Sequence, residues 1–320
     1  MEYRKLGGTG VRVSPLCLGA MNFGGLATPD DEAVATIQAA LDAGINFVDT
    51  ANAYGRGGSE TVVGKALAGR RDEVVLATKV HHAMGESPND QGTSRRHIMM
   101  ACEASLRRLQ TDRIDLYQLH RPDPLTPVGE TFGALDDLVR QGKVLYVGVS
   151  TFPAWQIMEA IGLAEHRGLA SRPVSEQPPY HLLDRRIEAD VVPMAARYGL
   201  AILPWSPLAS GVLSGKYSAG QIPPGSRLAN FGITTADERF APTMAKLAEL
   251  EKVAAAAGLS LLQLSMAWLL SRPGVVAPII GPRDRQQLAS YLATLELSID
   301  DDTEAAVDAV VPPGQATLVI

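Results

Sequence analysis

Eight short apolar runs punctuate the chain, at Leu16–Leu18, Ile45–Val48, Val74–Ala77, Leu116–Leu119, Val144–Val149, Val174–Ser175, Leu200–Leu203 and Val275–Ile280. Their apolar character is continuous rather than alternating, as in strands buried on both faces of a parallel sheet. Through the seventh, successive runs start roughly 30 to 40 residues apart, about the length of one strand, one helix and two loops. Only the last gap is longer. Eight such units predict an α/β fold, a single (β/α)8 TIM barrel over residues 1–320, in preference to an open doubly wound sheet. No linker divides the chain, and Met1 to Val13 reads as a short hairpin ahead of the first barrel strand.

The segments between the runs carry helix punctuation. Thr28-Pro29-Asp30-Asp31 reads as N-cap, proline at the first helical position and an acidic first turn, followed by Val34, Ile37 and Leu41 on one face and Gly44 as terminator. Thr126-Pro127 repeats the signal, with Phe132, Leu135, Leu138 and Val139 as the stripe and Gly142 at the end. Val253 to Ser271 is uncharged and nearly long enough to span a bilayer. Gly258 interrupts it, and Ser260 with Gln263 resembles a capping box, so two helices of a water-soluble protein are expected and no membrane span.

Charge and cysteine usage narrow the partners. With 29 basic and 35 acidic residues the net charge is −6, without a long single-sign block, so no nucleic-acid footprint is expected and small solutes are favoured as partners. Cys17 and Cys102 lie in apolar segments and make neither a disulfide framework nor a zinc spacing. The charged N-terminus lacks the apolar core of a secretory signal, so a cytoplasmic location is expected. His81-His82 with His97 lie near a polar loop without a cysteine or close carboxylate to complete a metal site. Two phosphate-loop lookalikes also fail: Gly55-Arg56-Gly57-Gly58 lacks the spacing of a dinucleotide fingerprint, and Ser210 to Tyr217 has serine in place of the first glycine.

In such a barrel, chemistry collects where strands end at the C-terminal face. Asp49 and Tyr54 follow the second run, Lys79 the third, His120 the fourth, Ser150 and Thr151 the fifth, Gln177 the sixth, Trp205 and Ser206 the seventh, and Gly281 and Arg283 the eighth. Any one of these has an ordinary structural explanation. Four titratable groups of four kinds, closing successive strand ends around one mouth, point to a catalytic site.

On these residues the chain resembles the aldo-keto reductase superfamily, from about Tyr3 to Leu297. The motifs are Asp49-Thr50-Ala51 with Tyr54-Gly55, Ala77-Thr78-Lys79, Asp115 to His120, Gly148-Val149-Ser150, Trp205-Ser206-Pro207-Leu208 and Ile279-Ile280-Gly281. The resemblance is strongest to the soluble bacterial branch related to potassium-channel β subunits. It implies NADPH-dependent reduction of a small carbonyl substrate by a tetrad of Asp49, Tyr54, Lys79 and His120, without a metal. Tyr54 would donate the proton, tuned by Lys79, which Asp49 holds in place. His120 would polarise the carbonyl.

Cofactor contacts implied by the same resemblance are Ser150 and Gln177 to the carboxamide, Trp205 under the nicotinamide, and Ala20 and Met21 near its ribose, with Asp49 also on the cofactor side. Ser206, Pro207, Leu208, Gly211, Lys216 and Arg227 would surround the pyrophosphate. Gly281, Arg283 and Gln287 would grip the adenosine phosphate and adenine. Thr151, also on the cofactor side, stands where the family commonly has asparagine, and Tyr291 where the related branch usually has one. Substrate selection is expected from Asn22, Phe23, the loop from His81 to Thr93, Phe152 and a lid from Tyr217 to Phe240. Two other readings compete with a reductase. A metal-dependent barrel hydrolase would usually show a His-x-His pair where this chain has Leu18-Gly19-Ala20. A cofactor-loaded redox-sensing subunit would share the tetrad but turn over little.

Overall fold

The computed structural model describes residues 1–25, 27–217, 222–224, 226, 229, 232 and 240–317. A hairpin, β1 (Arg4–Lys5) with β2 (Arg12–Val13), precedes eight parallel strands. These are β3 (Cys17–Gly19), β4 (Phe47–Asp49), β5 (Val75–Val80), β6 (Ile114–Leu119), β7 (Val144–Ser150), β8 (Pro173–Gln177), β9 (Ala201–Ile202) and β10 (Ile279–Ile280), hydrogen-bonded in the order β10-β3-β4-β5-β6-β7-β8-β9. The ring closes between β9 and the approach to β10: Ile202 N donates to Gly274 O, Val276 N to Ile202 O and Ile279 N to Pro204 O, all within 2.8–2.9 Å. The expected (β/α)8 barrel is therefore present.

Strand register decides what faces the barrel axis. Cys17, Phe47, Ala77, Leu116 and Ala201 form one buried cluster inside the ring, which Leu6 and Val13 of the hairpin join. Two residues further along their strands, the period-two alternation brings Gly19, Asp49, Lys79 and Gln118 to the same side, while Leu203 stays with the apolar cluster. The other face packs Leu18, Val48, Leu76 and Val147 against the surrounding helices in a second, larger core. A hydrophobic floor thus lies under a polar layer, and that layer opens at the C-terminal face.

The expected terminators Gly44 and Gly142 both take left-handed φ, at 91° and 73°. The starts differ from expectation. The first helix, Asp30–Asp42, has Pro29 at its N-cap and no side-chain cap; Thr28 Oγ1 instead donates to Arg283 O at 3.1 Å. Thr126 likewise donates to Asp123 Oδ2 at 2.8 Å rather than capping the helix Val128–Arg140. In both cases the hydroxyl finds a partner outside the helix. The last strand is shorter than its apolar run, because Pro278 has no N–H to give to a ladder.

Helices Ala241–Ala256 and Leu261–Ser271 meet at 85°, with the Ser260–Gln263 capping box formed at the bend. Among the described residues no single helix is long and apolar enough to cross a membrane.

Candidate active site

Lys79 is completely buried, and burying an ammonium requires compensation. Asp49 supplies it through an ion pair, Thr50 O accepts a second Lys79 hydrogen bond at 2.9 Å, and the Tyr54 hydroxyl lies within 3.3 Å of Nζ. The other Asp49 oxygen, Oδ1, accepts from Gln118 Nε2 at 2.9 Å and Gln177 Nε2 at 3.0 Å, and Gln177 also donates to Gln118 Oε1 at 3.1 Å. Three strands beside β4 therefore orient one carboxylate. Gly148 makes room for this net, since a Cβ there would come within 2.5 Å of Ser175 Oγ and 3.0 Å of Gln118 Cγ.

The charges follow from the surroundings. Burial works against the Lys79 ammonium, but Asp49 and Tyr54 outweigh it and hold its pKa above the ordinary value. Burial raises the Tyr54 phenol, with Lys79 pulling the other way and losing. The phenol is thus protonated at neutral pH, and the charge beside it does not bring it below its ordinary range. His120 sits edge-on to Tyr54, with ring centroids 5.7 Å apart. Burial, then the positive charge of Lys79 and contact with His82, drive its pKa down to about 2, so its imidazole is neutral. Its Nδ1 is buried without a hydrogen-bond partner.

These groups end a cavity of about 710 Å³, within the size range of small-molecule sites. Asp49, Tyr54 and His120 line it, while Lys79 lies behind Tyr54. All but two of the expected cofactor residues line it too: Met21, Ser150, Thr151, Gln177, Trp205, Ser206, Pro207, Leu208, Gly211, Lys216, Gly281, Arg283 and Gln287. Ala20 is buried, its N donating to Asp49 O at 2.8 Å and its O accepting from Ser59 Oγ at 2.7 Å. Arg227 lies outside the described residues. Ser150 Oγ donates to Gln177 O at 2.8 Å, which ties the ends of β7 and β8 together. Behind them Glu176 Oε1 accepts from Phe152 N at 3.2 Å, and burial raises that carboxyl well above its ordinary range.

Backbone conformation shapes the far wall. Ser206, Ala209, Ser210 and Gly211 have φ of 56°, 49°, 55° and 93°. Left-handed non-glycine residues cost about 1 kcal/mol or more each and persist where the fold overdetermines them. Here Ser206 Oγ accepts from Ser210 N at 2.8 Å, and the turn is locked. Such αL turns form concave backbone nests suited to anions. Beside this loop, a Cβ on Gly211 would stand 3.0 Å from Lys216 Nζ. Arg283 has no carboxylate partner among the described residues, and its backbone N donates to Gln287 Oε1 at 3.1 Å.

Of the expected selectivity residues, Asn22 and His82 line the cavity, Phe23 is buried in the core, and Phe152 lines a separate cavity of about 330 Å³. Most of the expected lid lies outside the described residues. The structure adds Arg121, Ser210, Ser214, Leu262 and Ser290 to the lining, and Gln118 to the support of Asp49. Gln118 had a visible signal, an amide inside the apolar run ending at Leu119.

The family model described as "Aldo/keto reductase family" matches residues 15–312. The chain is 40% identical to a rice (Oryza sativa subsp. japonica) protein named probable voltage-gated potassium channel subunit beta, covering 93% of this chain and 92% of that one. It is 40% identical to the Bacillus subtilis (strain 168) uncharacterized oxidoreductase YrpG, covering 99% and 98%. Identity to the aldo-keto reductase YhdN of the same organism is 34%, covering 97% and 93%.

Proposed function

The chain belongs to the aldo/keto reductase family, whose members act on small carbonyl compounds with NAD(P)H, and on that premise we propose that it reduces an aldehyde or ketone to an alcohol with NADPH, using Asp49, Tyr54, Lys79 and His120. One observation carries the reading: a protonated phenol, a paired buried ammonium and a neutral imidazole converge at one end of the cavity.

The residues present fit the cofactor. Trp205 offers an indole face on the cavity wall, the left-handed turn from Ser206 to Gly211 offers a cradle, and Lys216 and Arg283 bring positive charge to the lining. Ser150, Thr151, Gln177, Met21 and Gly281 would hold the nicotinamide half, and Gln287 the adenosine half. When bound, the nicotinamide supplies the hydride.

The chain's own groups handle the proton and the developing charge. His120, neutral, donates a hydrogen bond to the carbonyl oxygen as negative charge grows there. Tyr54 gives that oxygen its proton. The phenolate left behind faces Lys79, whose ammonium stabilises it, and recovers a proton from solvent before the next turnover. Asp49 keeps Lys79 charged and aimed, with Gln118 and Gln177 keeping Asp49 in place. Burial sets the resting phenol in its protonated form, and Lys79 acts on the anion.

Replacing Tyr54 by phenylalanine tests this. Turnover of simple aldehydes should stop while NADPH still quenches protein fluorescence; near wild-type turnover refutes the assignment. The name of the rice relative motivates a second reading, a redox-sensing regulatory subunit that holds NADPH with little turnover. Steady multiple turnover by the wild type excludes it.

A further inference from the structure

We propose that the carbonyl compound reduced here carries an oxyanion, as a carboxylate or a phosphate, and that Arg121 recognises it. This rests on the reductase reading and adds the substrate class.

The cavity's charges are one-sided. Asp49 is the one carboxylate among the described lining residues, and Lys79, Gln118 and Gln177 occupy its oxygens. Three arginine or lysine residues line the same space: Arg121, Lys216 and Arg283. Lys216 sits by Gly211 and Arg283 by Gln287, on the side assigned to cofactor phosphates. Arg121 directly follows His120 and stands at the tetrad end. In a chain of net charge −6, an unneutralised cation in a cavity selects for negative ligands.

Arg121 is exposed at the cavity mouth, and one side-chain hydrogen bond holds it there. Its Nη1 donates to Thr151 Oγ1 at 3.0 Å, and that hydroxyl donates to Ser150 O at 2.6 Å. Thr151 is fixed by a left-handed φ of 58° and by donation of its N to Gln177 O at 3.2 Å. One guanidinium N–H is spent on this anchor, and the remaining fork is available. Arg70, Arg71, Arg108, Arg113, Arg140 and Arg272 each have a carboxylate partner, whereas Arg121 has none among the described residues. A planar, preset guanidinium is suited to bidentate contact with an oxyanion. His82, packed on His120 at 4.6 Å between centroids, lines the same mouth. Burial, then His81 and Arg121, lower its pKa, so it offers a neutral hydrogen-bonding group beside the charge.

The test compares matched substrates at saturating NADPH: succinic semialdehyde with butanal, and glycolaldehyde phosphate with glycolaldehyde. In the wild type, kcat/KM should favour the charged member of at least one pair, and the pair that does so identifies the anion. Arg121→Gln should reduce that preference by about tenfold to a hundredfold, mainly through KM, as expected for losing a charged hydrogen bond. Arg121→Lys should fall between, keeping the charge and losing the fork. Wild-type ratios near unity in both pairs, or a preference that survives Arg121→Gln, overturn the inference while the reductase reading stands. Failure to reduce any of the four compounds overturns both.

Discussion

Replacing Asp49 by asparagine isolates what the buried ion pair does. The Lys79 and Asp49 side chains are 0% and 3% exposed, so the substitution strands an ammonium in the barrel interior. Removing one partner of such a pair costs about 3–5 kcal/mol. With an unfolding entropy of about 2.1 cal/mol/K per residue, a 320-residue chain should lose roughly 4–8 °C in melting temperature. The pH dependence gives a second signature. In the wild type the Lys79 pKa is raised, so its contribution is fully present below the unfolded value of about 10.4 and is lost only as pH rises through the folded value. In Asp49→Asn, burial is opposed by Tyr54 alone and the folded pKa drops. The unfolded chain then binds more protons at Lys79 than the folded chain, and stability rises with pH up to about 10.4. Urea unfolding at about pH 7 and about pH 9.5 should therefore show a deficit that shrinks at the higher pH. A deficit independent of pH, or a variant as stable as the wild type, refutes this account of the pair.

His120→Ala should lower turnover by about 10²- to 10³-fold with NADPH affinity retained, as for removal of one oxyanion donor; collapse of NADPH binding with normal single-turnover hydride transfer would make the residue structural. Because burial holds His120 near a pKa of about 2, the wild-type pH–rate profile should show no limb from it above about pH 5. Arg283→Ala should weaken NADPH by about 1.5–3 kcal/mol and barely affect NADH, measured by titrating both cofactors; equal losses would remove the phosphate clamp. Gly148→Ala should destabilise by about 1–3 kcal/mol, since the new methyl meets Ser175 Oγ and the Gln118 stem. An unfolding free energy within about 0.5 kcal/mol of wild type would show that the net yields easily.

The barrel is legible in the chain because continuous apolar runs at even spacing have few other solutions, and the proposed tetrad because its members follow three successive runs, Asp49 and Tyr54 sharing the second. Local signals mislead where a side chain has a competing partner. Thr28 and Thr126 look like helix caps, yet their hydroxyls serve Arg283 and Asp123. The final strand looks six residues long, from Val275 to Ile280, until Pro278 removes a donor. Ser206, Ala209 and Ser210 give no hint of left-handed backbone, since nothing in serine or alanine prefers it. That conformation is imposed by the surrounding fold. The role proposed for Arg121 rests on an anchor at Thr151, a contact across 30 positions that no local pattern displays.

The seam of the barrel has a consequence for its assembly. β10 inserts between β3 and the end of β9, joining Cys17 to Ile279 from opposite ends of the chain. During synthesis, β3 through β9 can pair in order as they emerge, but both outer edges stay bare until β10 arrives. Unpaired edges are templates for joining other chains. Translation halted before β10 therefore leaves an open ribbon prone to sticking to its own copies, and the last strand serves as the clasp.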